Sequence, residues 1–270
     1  MQIAPLIHSR TLKCDFNPNF AVRPDDLDVS WAMNKILQST SDIDILNGVR
    51  RLTASNGQIG IAGIACKLKF FIERYVPEAA AEAEKYFRDE RGREVKVFLG
   101  CVFKGSGVPD VSCEDLWRMF KENLAEVWEL NVAETVKVPY QNCGTKDSGK
   151  IPPVEKIGGV EFYISGEDSD AELLAQCIAE RKNFCSNADQ FKIITSGEFN
   201  VISTSRGNID RFKAEQAEKK TPSTAPAQST RRNTPPAQSR PPEPSSRSSR
   251  AAVAGIILAI LIVAGFLLIK

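Results

Sequence analysis

Ala251 to Ile269 (AAVAGIILAILIVAGFLLI) runs nineteen residues without a charge. As a helix it spans roughly 28 Å at about 1.5 Å per residue, close to the hydrocarbon thickness of a bilayer. A helix of that length in a water-soluble core carries a polar stripe, and this one has none. In lipid a helix satisfies its own backbone polar groups, so the segment can cross alone. The sequence therefore predicts a single transmembrane helix over 251–269, with the lipid bilayer as its first partner.

Only Lys270 follows the apolar run, whereas Arg240, Arg247 and Arg250 precede it. That pattern predicts post-translational insertion as a tail anchor, with the N-terminal part on the cytoplasmic side. The same arginines would favour anionic lipid, at about 1 kcal/mol each. Ala251, Gly255 and Ala259 recur every four residues and form one small-residue face. Such a face lets two spans approach closely, so a homo-oligomer through this helix is expected.

Ahead of the apolar run, residues 221–250 hold seven of the chain's fifteen prolines and no Val, Ile, Leu, Phe, Trp or Tyr. Nothing there offsets the entropy of ordering, so 213–250 is expected as a disordered Pro/Ser/Thr/Arg-rich linker. Pro241, Pro242 and Pro244 offer a polyproline segment, and the Ser/Arg run after them offers phosphorylation sites.

Residues 1–212 are expected to form a folded cytoplasmic domain. The chain's net charge is only +1, yet Lys213 to Arg250 contains eight Lys/Arg against three Asp/Glu. The head is therefore mildly acidic, which argues against nucleic acid as a partner. Seven cysteines (Cys14, Cys66, Cys101, Cys113, Cys143, Cys177, Cys185) show no C-x-x-C pair and no metal-finger spacing. They read as reduced core thiols. The N-terminus lacks the basic-then-apolar pattern of a signal peptide.

Periodicity in the head points to an α+β fold, with a mixed or largely antiparallel sheet and helices packed on it. Residues 95–103 are apolar in both phases, as in a central strand covered on both faces. A second strand is expected through Ile64, Cys66, Leu68, Phe70 and Ile72. Ile59 and Ile61 fall in the opposite phase, which suggests a bulge near Gly60–Gly63. Further strands are expected at 134–140, 157–165 and 191–203. Ser112 with Asp115 forms a capping-box pattern ahead of Leu116, Phe120, Leu124 and Val127. Ser169 with Glu172 repeats it ahead of Leu173, Leu174, Cys177 and Ile178. Helices are also expected at 27–39, at 41–52 behind Ser41, and from Pro77 to Phe87.

Chemistry-bearing patterns are sparse. His8 is the only histidine and falls in a stretch that reads as mobile or an edge. The order of strand, Gly105-Ser-Gly107 and capped helix suits an anion site, but Asp110, Glu114 and Asp115 put negative charge there. Acidic clusters occur at 25–28 and 167–170; the second, which opens a helix, matches magnesium coordination or simple complementarity to the helix dipole. The alternation of charge over 89–94 reads as a solvated, salt-bridged turn. No cofactor and no metal site is expected. Trp117 and Trp128 flank the apolar stripe of the 112–130 helix; either they anchor a protein partner or they widen a core contact.

Three functional readings follow. The leading one is a tail-anchored protein whose head is an interaction or regulatory module held near the membrane. The second is an enzyme working through an acidic/Gly loop on a nucleotide or membrane-proximal substrate. The third is a membrane-acting effector of a stress or defence system.

Overall fold

The computed structural model describes residues 1–15, 20–40, 48–130 and 134–220. The expected membrane helix with Ala251, Gly255 and Ala259, and the linker from 221 onward, lie outside the described residues. Among the described residues no helix is long and apolar enough to cross a membrane.

The chain opens with strands β1 (Gln2–Ser9) and β2 (Val22–Arg23), helix α1 (Val29–Thr40), and strands β3 (Arg50–Ser55) and β4 (Ile59–Lys67). Helix α2 (Leu68–Tyr75), a short α3 (Ala80–Ala83) between two 3-10 turns, β5 (Lys96–Lys104), β6 (Val108–Pro109) and α4 (Cys113–Leu124) come next. Short strands β7 (Val136–Lys137), β8 (Gln141–Asn142), β9 (Thr145–Lys146) and β10 (Glu155–Ile157) lead to β11 (Val160–Ile164) and α5 (Glu167–Ala179). Strand β12 (Phe184–Cys185), α6 (Phe191–Ile194), β13 (Val201–Thr204) and α7 (Arg206–Lys220) complete the head.

The architecture is α+β with a mixed sheet. Ten strands run in the order β10-β11-β13-β12-β3-β4-β5-β1-β2-β7, with β8 paired to β1. The centre, β3-β4-β5-β1, is antiparallel throughout. Parallel pairs occur at β11–β13, β12–β13 and β2–β7.

Both faces of the centre are covered. On one, Leu52, Ile61, Ala65, Phe98 and Val102 pack against Ala32, Met33 and Ile36 of α1 and Ile209 and Phe212 of α7. On the other, Ile64, Cys66, Val97 and Leu99 pack against Phe71 of α2 and Leu116, Phe120 and Leu124 of α4. Gly63 and Gly100 stand opposite each other in the β4–β5 ladder. A Cβ on Gly100 would lie 2.3 Å from the Ala62 carbonyl oxygen, so the two strands need hydrogen there.

Several expectations change for physical reasons. β4 pairs with β5 in unbroken register from Ile59 to Lys67, without a bulge near Gly60–Gly63. Burial on both faces lets apolar residues occupy either phase, so the phase change marked no irregularity. Leu68 to Ile72, expected to prolong that strand, falls in α2, whose Leu68, Phe71 and Ile72 make a buried helical face. Residues 50–52 are in β3 rather than a helix; 41–47 lie outside the described residues. Phe191 to Ile194 is a helical turn, and only 201–203 of the expected 191–203 segment belongs to a strand, β13. α7 continues to Lys220, past the linker boundary expected at 212, because Ile209 and Phe212 dock its first turns on the sheet.

Caps divide in the same way. Ser112 and Asp115 form a reciprocal capping box, with the Asp115 amide donating to the Ser112 hydroxyl at 3.1 Å. Ser169 does not cap α5. The helix starts earlier at Glu167, with Gly166 at its N-cap, and the Ser169 hydroxyl donates to the Gly166 carbonyl at 3.1 Å.

His8 is buried on β1, with its ring edge-on to Phe20 at 5.9 Å; β1 lies between β5 and β2 and is not an edge. The 89–94 turn is also less solvated than its charges suggest. The Asp89 side chain is 2% exposed and pairs with Arg10 at 3.1 Å and Arg93 at 2.7 Å.

Candidate functional site

The strand register places Arg51 in an unusual position for a cation. Arg50 and Arg51 open β3 and point to opposite faces, because successive side chains alternate along a strand. Arg50 is fully buried beneath the α1 face and donates to the Ser186 carbonyl at 3.1 Å and the Asn187 carbonyl at 2.7 Å. Arg51 stands opposite Ile64 of β4, on the α4/α5 face. Its backbone is locked to Ser186: the Arg51 amide donates to the Ser186 hydroxyl at 2.8 Å, and the Ser186 amide donates to the Arg51 carbonyl at 2.9 Å.

Arg51 is only 6% exposed, yet among the described residues its guanidinium forms no ion pair with a carboxylate. Instead it separates two cavities. The first, about 180 Å³, lies between α4 and α5 over the sheet. Its walls are mainly apolar, including Ile64, Cys101, Val108, Leu116, Leu174 and Ile178. Small residues at Ala62 and Gly63 on β4 and Ala171 and Ala175 on α5 keep it open. The second, about 250 Å³, is polar and lined by Tyr75, Ser165, Glu167, Asp170 and Asn187 together with Arg51.

Each polar wall is held by its own element. At the end of α2 the Tyr75 hydroxyl donates to Glu167 at 2.6 Å, and Arg74 pairs with the same carboxylate at 2.9 Å. Those two partners hold the Glu167 carboxyl below its ordinary range. Burial, then the Glu167 hydrogen bond, pushes the Tyr75 phenol up to about 12; nearby Arg51 opposes the shift. Asp170, in the first turn of α5, is 5% exposed and accepts a hydrogen bond from the Ser203 hydroxyl on β13. Burial raises its carboxyl above the ordinary range, against the pull of Ser203 and the field of Arg51. Asn187, with φ of 50°, lies in the left-handed region that asparagine tolerates well. Its side-chain amide donates to the Val49 carbonyl at 3.4 Å and closes the rim beside β3.

This arrangement gathers a buried cation, a buried carboxylate and hydroxyl and amide groups around a polar chamber, next to an apolar one. Binding is the chemistry it offers most directly. A guanidinium presents a rigid fork of donors to a carboxylate or phosphate, and an apolar cavity beside it takes a hydrocarbon group.

Residues singled out from the sequence are distributed elsewhere. Trp117 and Trp128 are 5% and 4% exposed, in an aromatic cluster with Tyr86 and Phe120. The wide core contact accounts for their placement. In the 25–28 cluster, Asp25 pairs with Lys137, Asp26 with Lys104 and Tyr140, and Asp28 caps α1 by accepting from the Trp31 amide at 3.0 Å. Among the described residues no group of three or more His, Cys, Asp and Glu is placed to hold a metal. The 105–115 loop is spanned by other contacts: Arg181 donates to the Gly105 carbonyl, and Asp115 is committed to the cap and to Arg118. All seven cysteines are free thiols, with Cys66, Cys101, Cys177 and Cys185 buried.

Sequence reasoning missed Arg51, Tyr75, Asn187 and Ser203, and read Asp170 only as part of an acidic run. No local signal separates Arg51 from a surface arginine; the strand pairing alone buries it. Compared with family models, curated proteins and solved structures, the chain matches none.

Proposed function

We propose that this chain is a membrane-tethered regulatory module whose head binds a small ligand in the cleft around Arg51. Arg51 carries the reading. Its guanidinium is buried with the Tyr75 hydroxyl as a hydrogen-bond partner and no carboxylate ion pair among the described residues. Burying a cation so is costly, and an anionic ligand would offset that cost. The nineteen uncharged residues at 251–269 motivate the tether, and the Pro-rich segment before them would let the head move while staying near the bilayer.

Two measurements test this function. Full-length protein is expected to stay with the membrane after carbonate washing, and removal of 251–270 is expected to release it. Hydrogen exchange on the full chain is expected to slow at β3 and the first turn of α5 when the small-molecule fraction of a cell extract is added. Extraction by carbonate rejects the tether. Unchanged exchange with every fraction rejects the ligand-binding module.

A further inference from the structure

The two chambers on either side of Arg51 differ in a way that specifies the ligand, given that the head binds one there. A purely anionic amphiphile would satisfy Arg51 and the apolar chamber. Its head group would also face Asp170 and Glu167, which line the same polar chamber as Arg51. Glu167 is already occupied by Arg74 and Tyr75. Asp170 accepts from the Ser203 hydroxyl and from the Gly166 backbone amide, and a carboxylate has lone pairs for a further donor. The polar chamber therefore offers one cation without a carboxylate ion pair among the described residues and one carboxylate able to accept a further hydrogen bond. Next to it lies a cavity of about 180 Å³ with walls from Ile64, Leu116, Leu174 and Ile178.

We propose that the cleft takes a free α-amino acid with an apolar side chain. Its carboxylate lies on Arg51, its ammonium faces Asp170, and its side chain fills the chamber between α4 and α5. An apolar cavity of about 150 Å³ holds benzene, so a leucine or phenylalanine side chain matches this one in size. The zwitterion neutralises both buried charges together, which neither a fatty anion nor an alkylamine does. A charged side chain is disfavoured because most of the chamber wall is apolar, although Lys146 also lines it. Binding forms no covalent bond and needs no co-reactant. The proposal rests on the reading of the head as a binding module and adds the chemical class of its ligand.

Calorimetric titration of the full chain in lipid nanodiscs tests the assignment. The probes are leucine, phenylalanine, glutamate, 4-methylpentanoate (leucine without its amine) and isopentylamine (leucine without its carboxylate). Leucine or phenylalanine is expected to bind at least about tenfold more tightly than 4-methylpentanoate or isopentylamine, since each lost charge-assisted contact costs about that factor or more. Either is also expected to bind more tightly than glutamate, whose charged side chain would enter a mainly apolar chamber. Arg51→Gln is expected to weaken that binding by at least about tenfold. Leu174→Phe, which fills the apolar chamber while leaving both charges in place, is expected to weaken phenylalanine more than leucine. Equal binding of leucine and 4-methylpentanoate overturns the zwitterion in favour of a simple anion site. Binding that is unchanged in both variants places the ligand elsewhere and also overturns it. If no probe binds while extract fractions still slow exchange at β3 and α5, the ligand class is wrong and the binding module stands. If neither responds, both fall.

Discussion

Arg51 and Ile64 stand opposite each other in the β3–β4 ladder, so the buried guanidinium rises from the same sheet face that floors the apolar chamber. Paired residues on neighbouring strands share a face. A one-residue slip of β3 would send Arg51 to the α1 side and bring Arg50 to the cleft. Two Arg51–Ser186 hydrogen bonds, from the Arg51 amide to the Ser186 hydroxyl at 2.8 Å and from the Ser186 amide to the Arg51 carbonyl at 2.9 Å, hold the register where the cleft needs it.

The close approach of β4 and β5 beneath that face is sensitive to a single methyl group. In Gly100→Ala the new Cβ would sit 2.3 Å from the Ala62 carbonyl oxygen and 2.9 Å from the Gly63 Cα. These are backbone atoms of a central strand and cannot swing aside. Overpacking of this kind costs about 1–3 kcal/mol. The variant is expected to show a lower urea midpoint. Gly92→Ala in an open turn, with nothing within 4 Å of the new atom, makes a comparison in which only the positive φ of 75° is strained.

Asp89 anchors Arg10 in a largely buried ion pair at 3.1 Å, with side-chain exposures of 2% and 9%. Asp89→Asn removes the charge that pairs with Arg10 at 3.1 Å, whereas the Asp15 contact to Arg10, at 3.5 Å, is the more exposed one. Breaking one partner of a buried pair costs about 3 kcal/mol or more. Asp15→Asn, at a side chain 56% exposed, is expected to cost less than about 1 kcal/mol. Chemical denaturation of both variants at neutral pH compares the two sites.

Asp170 gives a pH signature of known sign. Its carboxyl titrates above its ordinary value of 3.8 in the folded chain, because burial disfavours the charged form more than Ser203 and Arg51 favour it. The folded state then holds more protons than the unfolded one between 3.8 and the raised value. Stability from this group is fully present below that window and is lost as pH rises through it. Asp170→Asn keeps an acceptor for Ser203 but does not titrate. Its stability relative to the native chain is expected to rise from about pH 4 upward and then level off. Urea unfolding of both proteins from pH 4 to 7 measures the difference; a difference that falls with pH contradicts the assignment.

Local signals in the sequence survive where one element alone determines them. The Ser112–Asp115 box begins α4 as expected, because a cap needs only residues three apart. The doubly apolar run at 95–103 falls in β5, because burial on both faces leaves that mark whatever its neighbours are. Elsewhere the pairing decided. Leu68, Phe70 and Ile72 fit a strand phase, but Leu68, Phe71 and Ile72 are the residues that α2 buries. His8 reads as part of a mobile or edge stretch, although it, Ser9 and Arg10 are all buried. Arg51 was the least legible of all: it reads as a surface charge until β12 and β4 enclose it from either side. The site lies on the least local feature of the fold, a strand held between partners more than a hundred residues apart in the chain and its own hairpin.

The central claim is that the Arg51 guanidinium is held for a ligand at some cost to the empty head. Thermal melting of the full chain and of Arg51→Met, both without added ligand, measures that cost directly. Methionine keeps much of the volume without the charge, so the variant is expected to gain about 1–2 kcal/mol, a rise of roughly 2–8 °C for a domain of this size. A fall of similar size would show that Arg51 stabilises the head by itself, and would contradict the account.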